Sequence, residues 1–118
     1  KLNEIVQNSN TNFFDIIIDD GSHFLSDILI TLKNLFKYVK NDGIYVIEDF
    51  KHPNYYEYNR NIDHILVDEM LKNLKNKKLF KSNIIKNEDQ IYLHENIKDI
   101  KLYKGNLKDS DICFLKKR

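Results

Sequence analysis

Two pairs of adjacent acidic residues, Asp19-Asp20 and Glu48-Asp49, are the residues of this sequence best placed to do chemistry. Each pair ends a short apolar run, Phe14–Ile18 and Gly43–Ile47, and one helix-length amphipathic segment separates the runs. Apolar strand, helix, apolar strand is a βαβ pattern, in which both strands end at the same edge of a parallel sheet. In open α/β sheets that edge is where ligands bind. Asp20, Glu48 and Asp49 therefore form a candidate site for a hard divalent cation such as Mg2+, which takes oxygen ligands and keeps some of its waters. Asp is also common in caps and turns, and for either pair alone that reading is the stronger. Two acidic pairs ending neighbouring strands of one unit shift the balance to a metal.

His23 stands three residues after Asp20, in the first turn of the expected helix. A helix N-terminus favours the neutral imidazole, which can accept a proton near pH 7. Alone, such a histidine reads as a surface residue; its case as a general base depends on the metal beside it. His52, His64 and His94 lack comparable company and read as surface or structural residues. Tyr55, Tyr56 and Tyr58 suit a lid or substrate wall, and equally well packing over the sheet edge.

The elements that must position these groups follow from the pattern around them. Phe14, Ile16, Ile17 and Ile18 show little alternation, as in a parallel strand covered on both faces. Gly21 permits a sharp exit from that strand, Ser22 suits an N-cap, and Asp27 places negative charge near the helix start. A helix is predicted from His23 to Val39, with Phe24, Ile28, Leu32, Leu35, Phe36 and Val39 on its apolar side. Asn41-Asp42-Gly43 reads as the turn into the second strand, with Gly43 or Asn41 in the left-handed cap. Lys51–Asn61 reads as a long loop, Asn61–Lys75 as a second amphipathic helix, and Asn83–Gln90 as loop. Ile97–Tyr103 and Asp111–Leu115 read as a hairpin joined through Lys104–Ser110. At the start, Lys1–Gln7 reads as the end of a helix and Asn8–Asn12 as a loop.

A length of 118 residues accommodates one α/β domain spanning residues 1–118, and two are not expected. The chain is 42% hydrophobic and 31% charged, as soluble globular proteins are. A net charge of +1 with interspersed signs argues against a nucleic acid or an anionic membrane as partner. No apolar run approaches the roughly 20 residues of a membrane helix, and the first residues do not read as a signal peptide. The single cysteine, Cys113, excludes an internal disulfide and fits a reducing cytoplasmic setting. Its neighbours Ile112 and Phe114 mark it as a buried thiol.

The segment Phe14-Asp15-Ile16-Ile17-Ile18-Asp19-Asp20-Gly21-Ser22-His23, followed after the helix by Gly43-Ile44-Tyr45-Val46-Ile47-Glu48-Asp49, resembles a known family. It is similar to the metal-dependent, S-adenosylmethionine-using class I O-methyltransferases of the macrocin and mycinamicin type, which act on sugar hydroxyls of natural products. The resemblance is specific up to Phe50 and loose beyond it. It implies that Asp20, Glu48 and Asp49 hold Mg2+ and that His23 is the general base. It also implies that the final hairpin supplies the last antiparallel strands of a Rossmann-like fold.

Enzymes of this type bind S-adenosylmethionine through the first half of their sheet, with a Gly-rich turn after the first strand. This chain has three glycines and no Gly-rich turn, and the stretch before Phe14 is too short for a βαβ unit of roughly 30 residues. The sequence thus reads as the C-terminal half of the fold, either a fragment of a longer protein or a standalone remnant. Alone it is not expected to bind the cofactor normally or to catalyse. The missing neighbour leaves Phe14–Asp19 as an open apolar edge, which predicts self-association. The remaining readings are a non-catalytic assembly module and another metal-dependent enzyme such as a hydrolase.

Overall fold

The structure, a computed structural model, describes residues 13–22, 24–105 and 111–118. The expectations for Lys1–Gln7, for Asn8–Asn12 and for most of the Lys104–Ser110 connection lie outside these residues, as does His23. Strand β1 (Phe14–Asp19) leads to helix α1 (Leu25–Leu35), which tightens into a 3-10 turn at Phe36–Tyr38 before strand β2 (Val39–Glu48). A 3-10 turn at His52–Tyr55 precedes the short helix α2 (Asn59–Ile62), then α3 (Val67–Lys75) and α4 (Asn87–Asn96). Strands β3 (Ile97–Tyr103) and β4 (Ile112–Lys117) close the chain. The sheet order is β1-β2-β4-β3, with β1 and β2 parallel and the other two pairings antiparallel. Two parallel strands, flanking helices and a terminal antiparallel hairpin match the α/β arrangement expected from the sequence.

Helix α1 is shorter than the predicted His23–Val39 because Val39 already pairs with Phe14 in the sheet. Its N-cap position falls on Phe24, whose N–H is accepted by the Ser22 hydroxyl at 3.3 Å. That hydroxyl in turn donates to Asp27, so Ser22 holds the helix start from two residues before the N-cap. Leu25, Ile28, Leu29, Leu32 and Leu35 are buried, each contributing roughly 1.5–3 kcal/mol of burial free energy. Phe24, expected on the apolar side, is instead 52% exposed.

The turn expected at Asn41-Asp42-Gly43 is a bulge within β2. Phe14 pairs with Val39 and Ile16 with Ile44, so the residues between are looped out of register. The left-handed position belongs to Asp42, with φ of 65°, and not to Gly43 or Asn41. Gly43 is required for a different reason: a Cβ there would lie 2.7 Å from the Asp15 carbonyl oxygen and from Val39 Cγ1.

The second predicted helix, Asn61–Lys75, is two helices broken by Asp63–Leu66. Buried Asp63 occupies the break and accepts hydrogen bonds from Ser82 Oγ (2.6 Å), His64 N (2.6 Å), Asn83 N (2.8 Å) and Ile84 N (3.4 Å). It fastens the 82–85 turn to the α2–α3 junction. The expected loop Asn83–Gln90 instead enters α4, whose first turn is closed by Asp89 accepting from Lys86 N at 3.3 Å. Buried Gln90 bonds both backbone groups of Phe80 and the Ile85 carbonyl.

Tyr45, Ile47, Cys113 and Leu115 pack with the helices in one core, and Ile17 leans against it. The alternate residues point away from the helices: Ile16 and Ile18 are 57% and 58% exposed, beside half-buried Ile44 and Phe114. Coverage of β1 on both faces, expected from its unbroken apolar run, is therefore met on one face among the described residues. Near the end of β4, Lys117 is buried; its Nζ donates to the carbonyl oxygens of Val39 (3.0 Å), Phe36 (3.4 Å) and Lys37 (3.5 Å) and lies over the rings of Phe36 and Tyr92. It caps the carbonyl end that α1 and its 3-10 turn leave open.

Candidate functional site

The parallel register brings the acidic pairs to one rim. Ile18 pairs with Val46 and Asp19 with Ile47, so Asp20 and Glu48 are the next positions along two neighbouring segments, Asp20 one residue past the end of β1. Asp20 is exposed; Glu48 and Asp49 are half-buried. Asp49 has a left-handed backbone, φ 53°, uncommon for a residue with a side chain and concentrated at functional sites. Its carbonyl accepts the His52 N–H at 3.0 Å and starts the following 3-10 turn. Asp19 belongs to the helix-facing side and accepts the Gly21 N–H at 3.2 Å. Gly21 has no positive φ and only an ordinary 3.4 Å contact where a Cβ would sit, so its expected conformational freedom is not used.

Two hollows adjoin the rim. A 450 Å3 groove runs between β1 and α1, past Asp19, Asp20 and Ser22 to Asp27 and Thr31. A larger cleft of 910 Å3 opens on the other side, between α3 and the loops that follow β2 and β3. The Phe50 N–H bonds the Asp111 carbonyl at 3.3 Å, and Lys51 Nζ lies 3.0 Å from the Asp111 carboxylate. The Lys51 hydrogen bond holds that carboxyl below the usual carboxylate range. Across the cleft, Arg60 grips Glu69 through two bonds of 3.0 and 2.9 Å, which lowers the Glu69 carboxyl in the same way. Neither pair was singled out in the sequence, because the partners of each sit on different elements and share no spacing.

His52 is half-buried with its ring 5.3 Å from that of Tyr56, which lies 5.8 Å from Tyr58. Tyr56 and Tyr58 are exposed at the surface after the rim. His64 is exposed. His94 is half-buried, and burial together with Lys77 pushes its pKa down. Cys113 is buried as expected, which raises its thiol pKa to about 12. Among the described residues, no three His, Cys, Asp or Glu side chains converge as a set able to hold a metal ion. Asp20, Glu48 and Asp49 share one sheet edge and are oxygen donors of the kind Mg2+ takes, so they fit it in donor chemistry and not in convergence.

No family model matches the chain. A stretch of 36 residues, 30% of the chain, is 53% identical to the 8-demethyl-8-(2-methoxy-alpha-L-rhamnosyl)-tetracenomycin-C 3'-O-methyltransferase of Streptomyces olivaceus. Over 36 residues it is also 50% identical to the mycinamicin VI 2''-O-methyltransferase of Micromonospora griseorubida. Each match spans 9% of the relative. Among solved structures, the MycE methyltransferase of the mycinamycin biosynthetic pathway, in complex with Mg and SAH, superposes with a TM-score of 0.64 at 26% identity. That match covers 98% of this chain and 28% of the other. The same enzyme with Mg, SAH and mycinamycin VI superposes with a TM-score of 0.62 at 25% identity. The mixed sheet and its helices thus have the fold of part of a Rossmann-like methyltransferase, corresponding to its C-terminal half.

Proposed function

With the likeness to sugar O-methyltransferases as premise, we propose that this chain is part of an S-adenosylmethionine- and Mg2+-dependent O-methyltransferase acting on a hydroxyl of a sugar or natural product. The observation that carries the reading is the register that makes Asp20 and Glu48 neighbours at one rim, with Asp49 next in a left-handed turn. Asp20, Glu48 and Asp49 would hold Mg2+; when bound, the cation stabilises negative charge developing on the acceptor oxygen, and S-adenosylmethionine supplies the methyl group. His23 takes the acceptor's proton, a role that typically contributes about 10²–10⁴-fold. The chain's other contribution is orientation, through a rim fixed by β1 and β2 and hollows on both sides of it. The remainder of the cofactor site belongs to residues outside this chain. A cytoplasmic setting suits the one buried, unpaired thiol.

A paramagnetic titration tests the metal half of the reading. Mn2+, a stand-in for Mg2+, is expected to broaden the resonances of Asp20, Glu48 and Asp49 first, and Mg2+ to reverse the effect. Glu48→Gln is expected to abolish both. Broadening centred elsewhere would refute the site. Methyl transfer from labelled S-adenosylmethionine, lost on His23→Ala, tests the catalytic half in protein that also carries the cofactor-binding residues.

A second reading, a non-catalytic assembly module, is favoured by one observation: the exposed Ile16 and Ile18 on β1, an edge strand among the described residues. In either reading the chain self-associates through that edge.

A further inference from the structure

The 910 Å3 cleft between α3 and the ends of β2, β3 and β4 has a charge balance unlike that of the chain around it. Six Lys and Arg side chains line it against three Asp and Glu, whereas the whole chain carries a net charge of only +1. Two of the acids are already neutralised, Asp111 by Lys51 at 3.0 Å and Glu69 by the two-point grip of Arg60. The third, Asp68, is engaged by the side-chain amide of Asn54 at 3.2 Å. What remains are four lysines from three separate parts of the chain: Lys72 and Lys75 on α3, Lys81 in the loop after it, and Lys104 just past β3. Among the described residues, none of the four is in an ion pair. Lys72 and Lys75 are three apart on one helix and so lie on one side of it. Phe50, Ile65 and Leu102 add apolar wall to the same hollow. Like charges held around one concave surface repel each other, and an anion in their midst relieves that repulsion.

We propose that this cleft binds a phosphate-bearing sugar. A phosphate monoester brings about −1.5 to −2 charge and three acceptor oxygens, enough to engage several ammonium groups at once, where a carboxylate brings a single charge. The volume lies at the upper end of the usual range for small-molecule sites, roughly 300–1,000 Å3, leaving room for a sugar ring against the apolar wall beside the phosphate. The cleft opens next to the rim, because Phe50 and Lys51 follow Asp49 directly and are tied to Asp111. Only the sugar's further role, as the acceptor whose hydroxyl is methylated, rests on the methyl-transfer reading; the binding itself does not.

Calorimetric titration of the 118-residue chain, without metal or cofactor, tests it. Glucose 1-phosphate is expected to bind saturably, inorganic phosphate more weakly, and glucose not measurably. The double substitution Lys72→Gln, Lys104→Gln removes two exposed side chains and is expected to weaken binding by about tenfold or more. Lys86→Gln, exposed and outside the cleft, is expected to leave it unchanged. Thermal melts confirm that each variant is folded. No saturable binding at millimolar ligand, or affinity that survives the double substitution, would overturn the site. Inorganic phosphate binding as tightly as glucose 1-phosphate would overturn the sugar. Because the titration holds neither metal nor methyl donor, its failure leaves methyl transfer standing, and a failure of methyl transfer leaves this binding standing.

Discussion

Asp63 shows how one side chain can decide local architecture. Its two oxygens accept from the turn at Ser82–Ile84 and from its own neighbour His64, with no exposure to water. Asp63→Ala would take the acceptor from several part-buried N–H and O–H groups at once, and we expect a loss of about 3 kcal/mol in urea unfolding. Asp63→Asn keeps one acceptor oxygen and should cost less. The pKa values of Asp111 and Glu69 are lowered by their Lys51 and Arg60 hydrogen bonds, and that of His94 by burial and then Lys77. Each therefore takes up protons more readily in the unfolded chain, so stability present above its ordinary pKa is lost as pH falls. The melting temperature should first decline below pH 6.5 through His94, then further below about pH 4.5 through the two carboxyls. His94→Gln should remove the first decline and leave the second.

Among the elements, β1, β2 and the terminal hairpin were legible as apolar runs separated by polar turns. A run such as Phe14–Ile18 has few ways to hide from water other than in a sheet. Helix α4 was not legible, because its two buried residues are Gln90 and Leu93, and a buried glutamine reads as surface until its Phe80 and Ile85 partners are known. The break before α3 was missed because Ile62, Ile65 and Leu66 keep helical spacing straight through it, while the carboxylate that stops the helix finds its partners about twenty residues on. The acidic rim was legible in its placement, since strand ends are set by the apolar runs. The cation-rich cleft was not, since it is assembled from three stretches far apart in sequence. The bulge in β2 yields a direct test. Gly43→Ala places a methyl 2.7 Å from the Asp15 carbonyl oxygen and from Val39 Cγ1, so about 1–3 kcal/mol of overpacking is expected. Chemical denaturation checks this; a loss below about 0.5 kcal/mol would mean the bulge yields easily.

For the molecule as a whole, the described helices pack on one side of the sheet, while β1, an edge strand among the described residues, and the opposite face carry Ile16, Ile18 and Phe114. Open apolar edges seek a partner. Sedimentation at tens of micromolar should therefore show a species larger than 14.2 kDa, and Ile16→Lys with Ile18→Lys should restore the monomer. A monomeric parent chain would remove the basis for edge pairing. The amine of Lys117 has a consequence of another kind. Enclosed by three backbone oxygens and two aromatic rings, it is shut off from reagents that acylate the other lysines. Its labelling rate would follow only those excursions in which the final strand peels away, a built-in clock for the opening of the protein.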